Sequence, residues 1–525
     1  MTDLHRKPRS TLLWLLCFVT STQAGYVRFQ CYDDVKAKLE NGTLANNDTC
    51  FYSDKHGFTY SEPDNPVLTV PGCEELCGTG FSWYEDRGPR LSTWLIPVFL
   101  LLSNLEVSPL DKRRYLMILH LLGDPIDSLW CLLLKMEAWA RCRTMADANT
   151  SGKDKLSKSR HLATVLGGFE ELIGFHTDPL EVYSALIPAS RDRKDKRVDR
   201  LVRKAAQKLA DSRTDERLRT LLATALYFWQ VVSAFVNTIG GGNTSPPGGR
   251  IGIAMFLSWL VPIVLLSNAI GGFTSNRICF DTLEGLVQGA GPHQDLWLAL
   301  KSKVRTLENF QSLDEYMDSM CWSGAIYTYR PEKKLPYSTG RKDLNPHTLL
   351  LVALAPLVIS GVSASTIIWY TPPNGLNCRN ILIICLFASW CLSAGVTGVI
   401  ARLSFKPAVR WRAILMKDVF ITAPTVTLIF LATCGRFNSC WCWSAVYSLG
   451  KDARVPLNTT PDFNHYFKTT YPMVVGICLG LQVAFFVLMM WFGWEGLDIM
   501  RWSENEKKKE WMRSRRDDLH TDSLP

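Results

Sequence analysis

The sequence predicts an all-α membrane protein with about seven transmembrane helices and a small, disulfide-stapled N-terminal ectodomain. Only 20% of the residues are charged, and the apolar ones are bunched rather than spread along the chain. A helix needs about 20 apolar residues to cross the hydrocarbon, where lipid offers the backbone no other hydrogen-bond partner. One such block could be a buried core helix, but this chain contains six and a weaker seventh. They cover 221–240, 251–271, 348–369, 381–400, 419–433 and 473–494, with the weaker one at 91–105.

Residues 1–24 show the three parts of a secretory signal peptide. The basic stretch "HRKPRS" precedes the apolar run "TLLWLLCFV", and "TSTQA" ends in small residues, which predicts cleavage after Ala24. The alternative is an uncleaved anchor, but the apolar run is short for a span. A chain that follows a cleaved signal begins outside the cytosol.

Residues 25–90 form the predicted ectodomain. Four cysteines in a small secreted segment indicate two disulfides, which such a segment needs because its core is small. The three possible connectivities stay open. A zinc site is less favoured because "CEELC" has no histidine beside it. The cysteines are Cys31, Cys50, Cys73 and Cys77, and the segment also holds candidate glycosylation sites at Asn41 and Asn47.

The apolar segment 115–134 is interrupted by "GDPID" at 123–127. Two carboxylates near a bilayer centre would cost about 2.5–3.5 kcal/mol each, and proline breaks the helix. We therefore expect a bent, buried or interfacial pair of helices here instead of a span. Asp124 and Asp127 could form a functional carboxylate pair, but helix capping in a turn is favoured.

Basic residues in the short loops predict the orientation, because cytoplasmic loops are enriched in Lys and Arg. The 402–417 connection and the C-terminal tail are basic, whereas the 371–379 connection carries only Arg379. The N-terminus is then outside, the C-terminus is cytoplasmic, and the plasma membrane is favoured. The predicted layout is a first span at 91–110, a basic cytoplasmic loop with amphipathic helices at 111–218, two spans at 219–271, a cytoplasmic loop at 272–346, three spans at 347–434, an outer loop at 435–470, a last span at 471–494 and a basic tail at 495–525.

The last outer loop carries "CWCW" at 440–443 and a further glycosylation candidate at Asn458. Cys378 lies in another loop on the same side of the membrane. It is expected to pair with Cys440 or Cys442, and a free thiol stays open as the alternative.

The stretch 191–219 predicts a basic amphipathic helix that runs into the next span. Apolar residues recur at helical spacing along one face from Val198 to Leu209. Such a helix suits the anionic cytoplasmic leaflet or a cytoplasmic protein partner. A merely solvated face is the alternative, and nucleic acid is not expected because no nucleic-acid-binding module accompanies the helix. The candidate lipid-contacting cations are Lys194, Lys196, Arg197, Arg200, Arg203 and Lys204.

The sequence contains no recognised catalytic, phosphate-binding or metalloprotease motif, so neither enzymatic activity nor a cofactor is expected. The centres of the strong apolar blocks hold only uncharged polar groups, which disfavours a coupled transporter. A receptor-like or scaffold role is the leading hypothesis. A transporter or channel that uses uncharged polar groups is the second hypothesis, and an intramembrane enzyme is the third.

Three stretches carry a resemblance to a family. "PGCEELCG", "LLGDPIDSLWCLLLKMEAW" and "TPPNGLNCRN" together make the chain resemble an uncharacterised family of large multi-pass membrane proteins of filamentous fungi. The resemblance covers most of the chain. It implies a protein of the secretory pathway or plasma membrane and no particular catalytic residue.

The predicted orientation can be tested through glycosylation. Sugar should be attached at Asn41, Asn47 or Asn458 and absent from Asn149, which belongs to the first cytoplasmic loop. Peptide mapping after endoglycosidase treatment measures this, and sugar at Asn149 would contradict the orientation.

Overall fold

A computed structural model gives the architecture of the chain. Helices predominate among the residues it describes, and the short strands there pair in two two-stranded sheets. The described residues are 25–45, 49–84, 87–105, 114–150, 155–172, 196–213, 217–233, 235, 248–271, 276–289, 345–372, 374–403, 407–458, 465–500, 502, 508 and 511–512.

The N-terminal part contains β1 (Gly25–Tyr26), α1 (Arg28–Glu40), β2 (Val67–Thr69), α2 (Val70–Cys77) and β3 (Gly80–Phe81). The middle contains α3 (Arg87–Ser103), α4 (Arg114–Gly123), α5 (Pro125–Asn149), α6 (Lys155–Leu172), α7 (Lys196–Asp211), α8 (Arg217–Ser233), α9 (Gly248–Phe256), α10 (Leu260–Ile270) and α11 (Asn276–Gly289). The C-terminal part contains α12 (Pro346–Trp369), α13 (Cys378–Arg402), α14 (Pro407–Cys434), α15 (Val446–Leu449), β4 (Arg454–Pro456), α16 (Thr470–Phe492) and α17 (Trp494–Met500).

Five helical segments of the described chain are long and apolar enough to cross a membrane, which supports a multi-pass membrane protein. A sixth candidate is a bent pair of helices, so the structure supports five or six spans where the sequence predicted about seven. The weak block at 91–105 and the block at 221–240 correspond to α3 and α8, which are 17 residues long and pack against each other. The five segments are Gly248–Ile270, His347–Trp369, Cys378–Ile400, Arg412–Cys434 and His465–Phe492.

The segment formed by α9 and α10 lies at the centre of the bundle. In its most apolar window 83% of the residues are buried, against 22–50% in the other four segments. A helix that is apolar all round is stable only where neighbours cover every face, and α3, α12 and α16 do so here. Gly252 permits the close approach, because a Cβ there would lie 2.8 Å from Ile368 Cγ1.

The bent pair is formed by α4 and α5, which meet at an angle of 110°. Pro125 begins α5, and the carboxylate of Asp124 caps it by accepting from the amide of Asp127 at 3.0 Å. The elbow is buried against α13 and α14, where a Cβ at Gly123 would lie 2.8 Å from Thr422 Oγ1. The bend, the burial and the capping aspartate are confirmed, whereas the expectation that this pair does not span is not, because it is the sixth candidate span.

Residues 25–45, 49–84 and 435–458 together form one small domain at one end of the bundle, which we call the disulfide-bonded domain. Strand β2 pairs antiparallel with β4, with Leu68 opposite Val455, and the two share one apolar core. The buried Arg28 of α1 donates to the carbonyls of Leu457 at 3.1 Å and Pro456 at 2.9 Å. Burial lowers the pKa of this guanidinium from its ordinary value.

The disulfides correct the expectation that the first four cysteines pair among themselves. Cys31 is bonded to Cys77, but Cys73 is bonded to Cys440, which lies 367 residues away in sequence. Cys50 takes no part in these bonds, and its thiol lies 3.6 Å from Glu75 Oε2. The partner of Cys378 is Cys442, one of the two cysteines that the sequence offered. The disulfide-bonded domain is therefore closed by one bond within its N-terminal segment and one bond to residues 435–458.

At the opposite end of the bundle, α6 and α17 pack on α5, and α7 and α11 pack on α6 and on each other; we call α6, α7, α11 and α17 the helical layer. Thr164 of α6 donates to the carbonyl of Ile499 at 2.8 Å and accepts from the indole of Trp502 at 3.2 Å. These contacts join α17 and Trp502, which follows it, to α6. The two ends of the bundle are thus built differently, one from disulfides and short strands and the other from helices.

The apolar stripe of α7 packs inside the helical layer, which corrects the expectation that it faces lipid. Val198, Val202 and Leu209 are buried, and α7 contacts α6 and α11. Leu209 lies so close that a Cβ at Gly168 would come within 2.9 Å of its Cδ1. Among the six candidate cations, Arg200 and Lys204 are exposed and Arg203 is half-buried, while Lys194 and the side chains of Lys196 and Arg197 lie outside the described residues. Their contact with an anionic leaflet stays a prediction.

Replacing Leu209 by Ala tests the packing of the helical layer. A buried leucine truncated to alanine costs about 2–5 kcal/mol, so limited proteolysis should cleave the layer at a lower protease concentration. The matched control is Lys208→Ala, an exposed neighbour on the same helix whose loss should leave the proteolysis unchanged. Equal resistance of both variants would contradict the burial of this stripe.

Candidate functional site

A chain of buried ionisable side chains joins the elbow to the neighbouring helices. His120 of α4 contacts two carboxylates, with Nδ1 at 2.7 Å from Asp418 Oδ2 and Nε2 at 3.1 Å from Asp127 Oδ2. Asp127 lies in the first turn of α5 and Asp418 lies on α14. One imidazole therefore connects three helices through its two ring nitrogens.

Lys417 extends this chain to the aspartate of the elbow. Its ammonium donates to Asp124 Oδ2 at 2.6 Å and lies 2.9 Å from Asp418 Oδ1. It also donates to Ser393 Oγ at 2.8 Å and Thr397 Oγ1 at 2.7 Å, which lie one turn apart on α13. We call the series Asp127, His120, Asp418, Lys417 and Asp124 the ionic chain.

The elbow backbone is held by the same helix. The indole of Trp390 donates to the carbonyl of Leu122 at 3.0 Å, and Ser393 Oγ donates to the carbonyl of Gly123 at 2.8 Å. These carbonyls precede a proline that carries no amide hydrogen to continue the helix. The side chains of α13 thus satisfy the polar groups that the 110° bend leaves without helical partners.

The ionic chain is almost completely shielded from solvent. The side chains of His120, Asp124 and Asp418 are 0% exposed, and those of Asp127 and Lys417 are 9% exposed. Three carboxylates face one lysine and one histidine in this chain. Burial of a charge costs several kcal/mol per ion unless a partner compensates it. Each charge here has such a partner within 3.1 Å.

The sequence places these groups by ordinary local rules. Asp124 and Asp127 occupy the cap and first turn of α5, where the helix dipole favours negative charge. Ser393 and Thr397 are four residues apart and so share one face of α13. Lys417 and Asp418 are consecutive on α14, and their side chains diverge by about 100°. One of them therefore reaches α13 while the other reaches α4.

The structure extends the apolar block predicted at 419–433 towards the N-terminus, so that it includes two charged residues near its start. Lys417 and Asp418 lie within Arg412–Cys434, a helix long and apolar enough to cross a membrane. The sequence interpretation began this block at 419 and assigned Lys417 to a loop. His120, Ser393 and Thr397 were not predicted as site residues. The sequence signal for this site was the pair Lys417-Asp418, which directly precedes the apolar block at 419–433.

Two of the glycosylation candidates, Asn41 and Asn458, lie on the disulfide-bonded domain. Asn41 is the exposed residue at the end of α1, and Asn47 lies outside the described residues. Asn458 donates from Nδ2 to the carbonyl of Asp64 at 2.7 Å. Two of the three candidates therefore belong to the same end of the molecule.

No protein-family model, curated protein or solved structure matches this chain. The ionic chain has two features that bear on function. Chemically, the carboxylates and the imidazole can exchange a proton along their hydrogen bonds. Mechanically, the chain fastens the elbow to α13 and α14.

Replacing Lys417 by Met tests the energetic weight of the ionic chain. The carboxylates of Asp124 and Asp418 would stay buried without their cation, and breaking a buried pair in this way costs about 3–5 kcal/mol. The measurement is the denaturant midpoint of the detergent-solubilised protein. The exposed Lys451→Met in the disulfide-bonded domain serves as control and should change stability by no more than about 0.5 kcal/mol.

A second variant separates loss of the charge from loss of packing. Adding Asp124→Asn to Lys417→Met removes one of the uncompensated carboxylates, so part of the lost stability should return. A lysine-to-methionine variant as stable as the starting protein would show that the ionic chain contributes nothing to stability.

Proposed function

We propose that the protein is a receptor-like multi-pass membrane protein that transmits a change at its disulfide-bonded domain to its helical layer. In this proposal the disulfide-bonded domain lies outside the cell and the helical layer lies in the cytoplasm. The observation that carries it is the ionic chain, because it joins the two helices anchored in the disulfide-bonded domain to the helix that enters the helical layer.

Support comes first from the way the disulfide-bonded domain holds α13 and α14. Cys378, the first residue of α13, is bonded to Cys442. At the end of α14, the amide of Tyr84 donates to the carbonyl of Cys434 at 2.9 Å. Gly435 follows at a φ of 114°, and a Cβ there would lie 2.7 Å from the carbonyl oxygen of Ser82. A displacement of the domain therefore pulls on both helices.

The far parts of the same helices carry the partners of the elbow. Ser393 lies fifteen residues beyond Cys378, about 22 Å along the axis of α13 at 1.5 Å per residue. An α-helix transmits an axial shift over this length because its backbone hydrogen bonds run along the axis. The shift would act on Lys417 and Asp124 through the hydroxyls of Ser393 and Thr397.

From the elbow, α5 continues into the helical layer as one helix of 25 residues. It packs tightly on α17, where a Cβ at Gly496 would lie 2.6 Å from the carbonyl oxygen of Met136. The guanidinium of Arg213 stacks over the ring of Trp139 at 4.7 Å. Movement of the elbow would therefore displace the helical layer, where a cytoplasmic partner could bind. This coupling favours a receptor over a passive scaffold.

The orientation in this proposal is supported by the basic residues already described and by the disulfides. Disulfides form and persist in oxidising compartments, which the cytosol is not. All three bonds lie at the same end of the bundle.

Hydrogen exchange measures the proposed transmission. In the full chain reconstituted in nanodiscs, Cys378→Ser with Cys442→Ser should raise amide exchange in α5. A coupling of about 0.5–2 kcal/mol corresponds to roughly a 2- to 30-fold rise. The same pair of substitutions in a Lys417→Met background should add nothing, because the connection to the elbow is already broken.

The matched control is Cys31→Ser with Cys77→Ser, which removes a disulfide that joins two elements within the disulfide-bonded domain. Exchange in α5 should then stay at the level of the starting protein. If both disulfide removals raise exchange in α5 equally, general loosening explains the effect and the proposed transmission is wrong.

A proton-coupled transporter is the second candidate. Ionisable groups inside membrane-spanning helices commonly mark proton relays, and the ionic chain is such a set. Proteoliposomes with an internal pH-sensitive dye distinguish the two functions. Proton flux in the starting protein that disappears in Asp418→Asn favours the transporter, whereas no flux in either favours the receptor.

A further inference from the structure

We propose that an apolar groove between α12 and α13 binds a sterol from the bilayer. The groove has a volume of about 590 Å³, within the 300–1,000 Å³ that small-molecule sites occupy. It lies near the disulfide-bonded domain and is separate from the ionic chain. The proposal goes beyond the receptor-like function and does not depend on it.

The groove opens towards the side of the bundle that a bilayer covers. Val362 and Ile384 stand at its mouth and are 61% and 49% exposed, although both are apolar. Both belong to helices long and apolar enough to span a membrane. Lipid is therefore the solvent that meets this opening, and the occupant must reach it sideways from the hydrocarbon.

The length of the groove matches one leaflet. Its lining runs on α12 from Val358 to Tyr370, about 18 Å at 1.5 Å per residue. Half of a 30 Å hydrocarbon core is about 15 Å. A ligand that fills the groove would thus extend from the interface to near the bilayer midplane.

Polar groups lie at only one end of the groove. Ser365, Thr366, Tyr370 and Asn380 are all on the side of the disulfide-bonded domain, and the lining contains no Lys, Arg, Asp or Glu. Trp369 lies at the same end, where an indole suits the membrane interface. A phospholipid headgroup carries a phosphate that would seek a cation. A sterol carries one neutral hydroxyl on a long apolar body, which is the pattern of this lining.

The floor of the groove is shaped by a glycine. A Cβ at Gly361 would lie 3.5 Å from Cδ2 of the Phe387 ring, so any side chain there would fill the space between the two helices. Phe387 of α13 lies beside this glycine, and both residues line the groove. A flat, rigid ligand loses little conformational entropy on binding, which favours a fused-ring lipid over a flexible acyl chain.

Photolabelling of the full chain tests this inference. The protein in nanodiscs is irradiated with a diazirine-bearing sterol, and labelled peptides are identified by mass spectrometry. Label should concentrate in 358–387 and fall when unmodified sterol is added in excess. Addition of the same amount of phosphatidylcholine should leave the label in place.

Two variants with the same new side chain localise the label. Ile384→Trp fills the mouth and should reduce labelling about tenfold, which corresponds to about 1.4 kcal/mol of binding free energy. The matched control is Leu392→Trp, which changes a 67% exposed residue of the same helix outside the groove. That variant should be labelled like the starting protein, and it also shows that an added tryptophan does not by itself prevent folding.

Three outcomes would overturn the inference. Label spread over all lipid-facing helices would show ordinary boundary lipid. Competition by phosphatidylcholine would show an acyl-chain site. Crosslinks between two copies of the chain at Val362 or Ile384, with no sterol label, would show that the groove is a dimer interface.

Discussion

The packing of this bundle depends on the need to compensate Lys417. An ammonium group on an apolar helix loses its hydration, and only close opposite charges and hydrogen-bond acceptors can replace that hydration. Asp124, Asp418, Ser393 and Thr397 supply them, and they come from three different helices. Neither α13 nor α14 can shift without breaking a charged contact. The position of the elbow is thereby set by electrostatics as much as by apolar packing.

The disulfide-bonded domain obeys a similar constraint at the other end. The ring of Trp443 has two guanidinium groups over it, Arg28 at 4.7 Å and Arg379 at 4.3 Å from the ring centroid. Arg379 also donates to the hydroxyl of Tyr84 at 2.8 Å. One residue of the late loop therefore contacts the first helix of the domain and the start of α13. The N-terminal segment therefore shares one apolar core with a loop that lies more than 350 residues later in the chain.

Sequence reasoning predicted what is decided locally. The apolar blocks identified the membrane-type helices, and Gly123-Asp124-Pro125 identified the elbow because a capping aspartate followed by proline is typical of a helix start. Pairings between distant segments could not be predicted. The sequence does not distinguish between the possible disulfide partners of the four early cysteines, and no local pattern connects Cys73 to Cys440. The apolar block of α14 was predicted to start too late because Lys417 and Asp418 interrupt the apolar run. The fold compensates the charges of these two residues, which the sequence alone does not show.

The stripe of α7 illustrates a more general limit. An amphipathic helix reveals that one face is apolar, but the same pattern suits a lipid surface and a protein core equally well. The choice depends on whether other helices are available nearby, and here α6 and α11 cover Val202 and Leu209. Arg200 and Lys204, which lie outside this stripe, are exposed. Hydrophobic periodicity therefore identifies a buried face and leaves its partner undetermined.

Helix α13 brings the separate features of the molecule onto one element. Its first residue is Cys378, its next turns line the groove with Asn380 and Phe387, and its last turns carry Ser393 and Thr397. Asn380 and Ser393 are about 20 Å apart along the helix axis. A ligand in the groove can change the ionic chain only if the protein has two conformations that differ in the position of α13. The ligand must also bind these two conformations with different affinity. The same requirement holds for any force on the disulfide-bonded domain. A ligand in the groove and a force on this domain would therefore both act on the ionic chain through one displacement of α13 relative to Lys417.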